Sequence, residues 1–169
     1  MKNNKNIVLV GFMGCGKTTV GKLLALTLGY EFVDTDYLVV NNEKTDISFI
    51  FQNKGEQYFR KVESIALGQA MDQQGHVVAT GGGIVTNPEN NPILKRGVVV
   101  YLEGTPKQIY NNIKDDRSRP LLQEKDVYAK ICSMLQERQK LYQQIADYTV
   151  KIDEKTPQEI CKLILKGIK

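Results

Sequence analysis

The sequence predicts an α/β fold in three layers: a five-stranded parallel sheet with helices on both faces, built as one domain over residues 1–169. Three observations lead there. Short β-branched runs alternate with segments of helical period along the whole chain. A glycine-rich loop joins the first such run to the first helical segment. No repeat, low-complexity tract or linker divides the chain, and 169 residues suffice for one adequate core.

Ile7-Val-Leu-Val10 reads as a buried strand and Gly11-Phe-Met-Gly-Cys-Gly-Lys-Thr18 as the loop behind it. Val20, Leu23, Leu24 and Leu28 then recur at helical spacing over residues 18–28. Tyr30-Glu-Phe-Val33 is a short second strand that continues, extended, into Asp34-Thr-Asp36. From Tyr37 to about Ala70 the pattern is helical. One apolar stripe is Ile47, Ile50 and Phe51, another is Phe59, Val62 and Ala66, and Lys54-Gly55-Glu56 breaks the two. Residues 75–83 form a strand ending in three glycines, and Gly97–Leu102 is a further buried strand. Thr105-Pro106 opens a helix with proline early in its first turn. Residues 114–125 are charged and, apart from Leu121-Leu122, poor in apolar side chains, as expected of a mobile loop. A long amphipathic helix follows over 126–145, with Val127, Ile131, Leu135 and Leu141 near one face. Tyr148–Ile152 is the last strand, and Thr156-Pro157 starts the final helix.

Composition narrows the function classes. The net charge of +4 is mild and the lysines are dispersed, so a nucleic-acid partner is not expected. No stretch approaches the ~18–20 apolar residues of a membrane span, and residues 1–6 carry no leader pattern. Cys15, Cys132 and Cys161 form no C-x-x-C, which suits reduced thiols in a cytoplasmic protein. His76, the single histidine, begins a strand, and nothing positions it as a base.

Residues 11–18 match G-x-x-x-x-G-K-[ST] between a strand and a helix, where the pattern has physical meaning. Inward-pointing N–H groups and a helix N-terminus make an anion cradle. Gly11, Gly14, Cys15, Gly16, Lys17, Thr18 and Thr19 are therefore candidates for binding a nucleoside triphosphate. Lys17 is placed to reach the β/γ-phosphates, and the Thr18 hydroxyl to help hold Mg²⁺. Mg²⁺ needs oxygen ligands and keeps several waters, so Asp34, probing from the next strand end, completes a metal site through water. Asp36, on the same side of an extended segment, lies further towards an acceptor pocket, where a carboxylate can orient a hydroxyl. In parallel sheets the ligand lies beyond the C-terminal strand ends, and Gly81, Gly82 and Gly83 converge on that edge too. Arg60 and Arg138 offer rigid donor forks matched to a carboxylate or phosphate, although each also reads as a solvated helix charge, Arg60 beside Glu63. Cys15 reads first as a small residue filling a loop position. Its helix N-terminus and Lys17 also favour a thiolate, in which case alkylation would block nucleotide binding.

In order along the chain, Gly11–Thr19, Phe32-Val-Asp-Thr-Asp36, Gly55-Glu-Gln-Tyr-Phe-Arg60 with Glu63, Ala79-Thr-Gly-Gly-Gly83, Arg119-Pro-Leu-Leu122 and Arg138 with Leu141-Tyr142 resemble the shikimate kinase family. The resemblance covers essentially the whole chain. It implies a P-loop kinase fold with a mobile lid at about residues 112–125 and a shikimate-binding segment at about 35–62. It also implies ATP-dependent phosphorylation of the shikimate 3-hydroxyl, in the route to chorismate and aromatic amino acids. Carried over by position, Asp36 is the base or orienting group, Arg60 and Arg138 clamp the shikimate carboxylate, and Gly82 with its neighbours lets backbone approach the substrate. Arg119 belongs to the lid and stabilises charge on the phosphates. One departure stands out: relatives carry an adenine-stacking arginine before the lid, but Tyr110-Asn-Asn-Ile-Lys114 has none, leaving Lys114 or Arg117 as substitutes. Arg96 has no assigned role. A gluconate-type sugar-acid kinase and a non-catalytic nucleotide-binding regulator remain as alternatives. A monomer that binds only shikimate, ATP and Mg²⁺ is expected.

Overall fold

β1 (Ile7–Val10) is four consecutive buried residues, as suits a strand covered on both faces. In this computed structural model, which describes residues 4–116 and 125–168, it pairs in parallel with β3 (His76–Ala79) on one side and β4 (Val98–Glu103) on the other. β2 (Glu31–Asp34) and β5 (Tyr148–Lys151) flank these, giving five parallel strands in the order β2-β3-β1-β4-β5.

Strand alternation divides the core into two layers. Ile7 and Leu9 face α1 (Lys17–Leu28) and α7 (Pro157–Gly167), through Val20, Leu24, Ile160 and Ile164. Val8 and Val10 face the opposite layer, which Leu67, Ile109, Ile131 and Leu135 help to fill. These come from α3 (Ile47–Met71), α5 (Pro106–Ile113) and α6 (Val127–Ile145). The three-layer α/β/α architecture read from the sequence is the one observed.

Helix ends follow local chemistry. Thr105 caps α5 ahead of Pro106, Asp126 caps α6, and Thr156 with Glu159 forms a reciprocal capping box on α7. The helical stretch expected from Tyr37 to about Ala70 divides earlier than the break expected at Lys54-Gly55-Glu56. α2 (Thr35–Glu43) ends at Lys44, and Asp46 caps α3 by accepting from Phe49 N–H at 2.7 Å. The break expected at Gly55 is a kink inside α3, where glycine holds φ +81. Lys54 and the Tyr58 hydroxyl both bond Glu43, each at 2.9 Å, and so fasten α2 to α3. Val39, Ile50, Phe59, Val62 and Ala66 form a small separate core under this pair.

Two expected core positions are corrected. Phe51 is 39% exposed, its ring tilted against that of Phe59 across the Gly55 kink, 4.6 Å between centres. On α6 the buried residue is Tyr142, not Leu141, which is 36% exposed. Between β3 and β4, where the sequence pattern is silent, the chain makes short 3₁₀ turns and a one-turn helix, α4 (Asn91–Leu94). His76 is buried and its Nδ1 lies 3.1 Å from the Ala70 carbonyl. Arg96 donates to the Met71 carbonyl at the end of α3.

Candidate active site

The C-terminal strand ends open onto a cleft of about 510 Å³, lined by Gly14, Lys17, Thr18, Asp34, Asp36 and Gly82 among others. The loop between β1 and α1 forms its floor. Gly14 holds φ +76 and a Cβ there would strike the Ile113 side chain, so only glycine lets α5 close on the loop. Asn112 on α5 secures that contact by donating to the Gly14 carbonyl at 2.8 Å, while its own Oδ1 accepts from Gln108. This asparagine sits in the stretch expected to carry a nucleotide-stacking group.

Lys17 is buried, and its Nζ donates to the carbonyls of Gly11 at 2.7 Å and Phe12 at 2.9 Å. Its positive charge is thereby fixed at the centre of the loop. Cys15 Sγ lies 3.6 Å from the same nitrogen and is 1% exposed, packed with the α1 and α7 side chains. This burial favours the first reading of Cys15, a small side chain filling space beneath the loop, over that of a reactive thiol. Thr18 donates to Asp34 Oδ2 at 3.0 Å across the mouth of the loop. Their oxygens suit a hard cation that keeps most of its water, and among the described residues no group of three His, Cys, Asp or Glu offers a stronger cage.

Asp36 is where the sequence expected it but for a different reason. It lies in the first turn of α2, not in an extended segment, so strand alternation does not orient it. Asp34 caps that helix, its Oδ1 accepting from Asp36 N–H at 3.0 Å. Thr35, fully buried between the two acids, accepts from Gly81 N–H at 3.2 Å and ties the junction to the glycine run. No sequence pattern marks that contact.

The glycine run brings the remaining groups together. A side chain at Gly81 would meet Glu63 Oε1 at 2.5 Å and Asp36 Oδ1 at 2.9 Å, and one at Gly82 would meet Met13 N at 3.1 Å. One at Gly83 would overlap the Arg60 guanidinium. Arg60 donates to Glu63 at 2.8 Å and to Glu56 at 3.3 Å and lies over the Phe59 ring. The Arg60–Glu63 pair is therefore no solvated helix bridge, since Glu63 is 1% exposed. Burial pushes the Glu63 carboxyl up, Arg60 pulls it back, Asp36 adds to the rise and Arg138 opposes it. Arg138 enters from α6, half-buried, its guanidinium 5.9 Å from the Phe12 ring centre. Four residues later the Tyr142 hydroxyl donates to the Gly82 carbonyl. Burial keeps that phenol protonated well above the ordinary tyrosine range, against the pull of Arg138 and Arg60. This tyrosine therefore reaches the site. Arg119 and Arg117 lie outside the described residues, as does most of the expected lid.

A family model described as shikimate kinase matches residues 13–169. The chain belongs to the shikimate kinase family. The shikimate kinase of Caldanaerobacter subterraneus subsp. tengcongensis is 45% identical over 164 residues, covering 96% of this chain and 95% of that one. That of Vibrio parahaemolyticus is 42% identical over 167 residues, covering 98% and 97%. Among solved structures, shikimate kinase from Acinetobacter baumannii in complex with shikimate matches with a TM-score of 0.95 at 38% identity, over 99% of this chain and 94% of that one. A gluconokinase from Sinorhizobium meliloti matches with a TM-score of 0.63 at 16% identity, a likeness of fold alone. The gluconate-type alternative is accordingly not favoured over shikimate kinase, and the regulator reading yields to an enzyme.

Proposed function

We propose that this enzyme transfers the γ-phosphoryl group of ATP to the 3-hydroxyl of shikimate, giving shikimate 3-phosphate and ADP. The observation that carries the reading is the juxtaposition of two arginines, Arg60 and Arg138, with Asp36 around Gly81–Gly83, directly beside the phosphate loop. Two cationic forks suit a carboxylate, and an acid next to them suits the hydroxyls of the same small ring.

Asp36 accepts the hydrogen bond of the attacking hydroxyl and takes its proton as the new O–P bond forms and the bond to the β-phosphate oxygen breaks. Lys17 and the loop N–H groups hold the triphosphate and stabilise charge spreading onto the bridging oxygen. Arg60 and Arg138 fix the acid end, so the hydroxyl arrives in line. Arg119 adds positive charge at the phosphates. Thr18 directly and Asp34 through water would hold Mg²⁺, which supplies charge neutralisation on the triphosphate.

The three cysteines make no disulfide, which supports the cytoplasmic placement included in this proposal. No helix among the described residues is long and apolar enough to cross a membrane. Exposed apolar side chains such as Leu26, Tyr37 and Ile65 sit on different helices, which supports a monomer. The test is ADP release from ATP·Mg²⁺ with shikimate, gluconate or quinate. Stimulation by shikimate alone is expected; stimulation by gluconate instead would move the acceptor while leaving the phosphate chemistry in place.

A further inference from the structure

The turn Gly81–Ile84 has two glycines at its centre, and its form is set from outside. Ile84 N–H donates to the Gly81 carbonyl at 3.1 Å and closes the turn. Gly83 has φ −93 and ψ 4, the third-position values of a type I turn. Glycine at that position favours type II, in which φ there is positive. The two forms differ by a flip of the peptide joining Gly82 to Gly83. Neither residue carries a Cβ to resist it. Because that peptide is planar and trans, its C=O and N–H point opposite ways, so a flip would exchange the directions of the Gly82 carbonyl and the Gly83 N–H.

Among the described residues, one side chain bonds to this peptide: the Tyr142 hydroxyl, donating to the Gly82 carbonyl. The tyrosine is fully buried and its ring stacks on Tyr101, 5.0 Å between centres, so the donor cannot follow a flipped carbonyl. The flanks are held separately, by Thr35 on the Gly81 N–H and by Thr86 on the Gly83 carbonyl. The N–H groups of Gly82 and Gly83 make no hydrogen bond among the described residues, and Gly83 lies against the Arg60 guanidinium.

We infer that Tyr142 is a positioning residue: its hydroxyl selects the type I form of the Gly81–Ile84 turn and so sets which way the Gly83 N–H faces beside Arg60. This rests on the acceptor reading given above. The aromatic stack on the far side of the sheet edge thereby governs how the acceptor acid is received, without touching it.

The test is Tyr142→Phe in the full chain, which keeps the ring and removes only the donor. Shikimate and ATP are varied separately, unfolding in urea is followed, and the Gly83 amide is observed in ¹H–¹⁵N spectra. The KM for shikimate should rise roughly tenfold, the scale of one lost hydrogen bond, while the KM for ATP stays within about twofold. Unfolding should remain cooperative, and the Gly83 resonance should shift or split. An unchanged shikimate KM, a parallel rise in both KM values, or loss of cooperative unfolding would each overturn the assignment. Were the wild-type enzyme inactive on shikimate, the acceptor reading would fail, and an unmoved Gly83 resonance would separately refute the turn selection.

Discussion

The phosphate loop and the proposed acceptor clamp share one edge of the sheet and are built by opposite means. The loop is a run of consecutive residues whose groups satisfy one another locally; Lys17 finds its partners at Gly11 and Phe12. The clamp draws Asp36 from α2, Arg60 and Glu63 from α3, the glycines from the end of β3, and Arg138 with Tyr142 from α6. Charge is managed differently as well. Lys17 is surrounded by carbonyl dipoles, whereas Glu63 buries a carboxylate whose Oε1 meets no donor among the described residues. A site encoded locally tolerates little change in its own residues. A site assembled by packing is sensitive to everything that sets how three helices meet.

Substitutions can separate the two regions, beginning where the effect is largest. Asp36→Asn should lower kcat by about 10²–10⁴-fold, the range for a general base, with both KM values nearly unmoved; a loss under tenfold would demote Asp36 to a binding group. Lys17→Ala should cost on the order of 10²–10³-fold in kcat for whichever acid is offered. Arg60→Ala should raise the shikimate KM by roughly 10–100-fold, as for a hydrogen bond to a charged group, and leave the ATP KM alone. Equal changes in both would merge the two regions into one.

Stability against pH sharpens the contrast. Burial holds the folded-state pKa of Glu63 above its ordinary value of 4.5, so the folded protein keeps that proton more tightly than the unfolded chain. The stability from this difference is complete below about pH 4.5 and is lost as pH rises through the folded value. Glu63→Gln should flatten that decline in a series of urea midpoints, and parallel profiles would show that the buried charge carries no such cost. The smallest effect belongs to a helix cap at the rim of the cleft, where Thr156 lies between Lys155 and Pro157. Thr156→Ala removes the α7 cap and should cost about 1 kcal/mol of stability with the shikimate KM unaltered.

What could be read from the sequence follows the same division. The loop motif, all five strands and the Thr-Pro helix starts are local signals, and each stands where it was expected. Asp36, Arg60 and Arg138 were found as residues, but their arrangement was not. The strand signal at Phe32-Val33 masked the helix that begins at Thr35. The cap at Asp46 before Ile47 was a legible break that a continuous helical pattern concealed. Thr35 and Tyr142 act through single hydrogen bonds across 46 and 60 positions, and no periodicity reports a bond of that kind. Leu141 and Tyr142 are adjacent on an amphipathic helix, and Tyr142, seven positions beyond Leu135, is the one on the buried face, where it stacks on Tyr101.

The central place of β1 also bears on how the chain comes into being. Its first neighbour is about seventy positions downstream and its second about ninety. At a synthesis rate of about 5–20 residues per second, the strand leaves the ribosome several seconds before either partner exists. The phosphate loop therefore has no sheet to stand on until β3 and β4 have emerged, and the acid clamp waits longer still, for α6. A chain truncated after residue 103 would hold the three central strands but lack Arg138 and Tyr142. The phosphate loop should then be seated before the acid clamp in the life of each molecule.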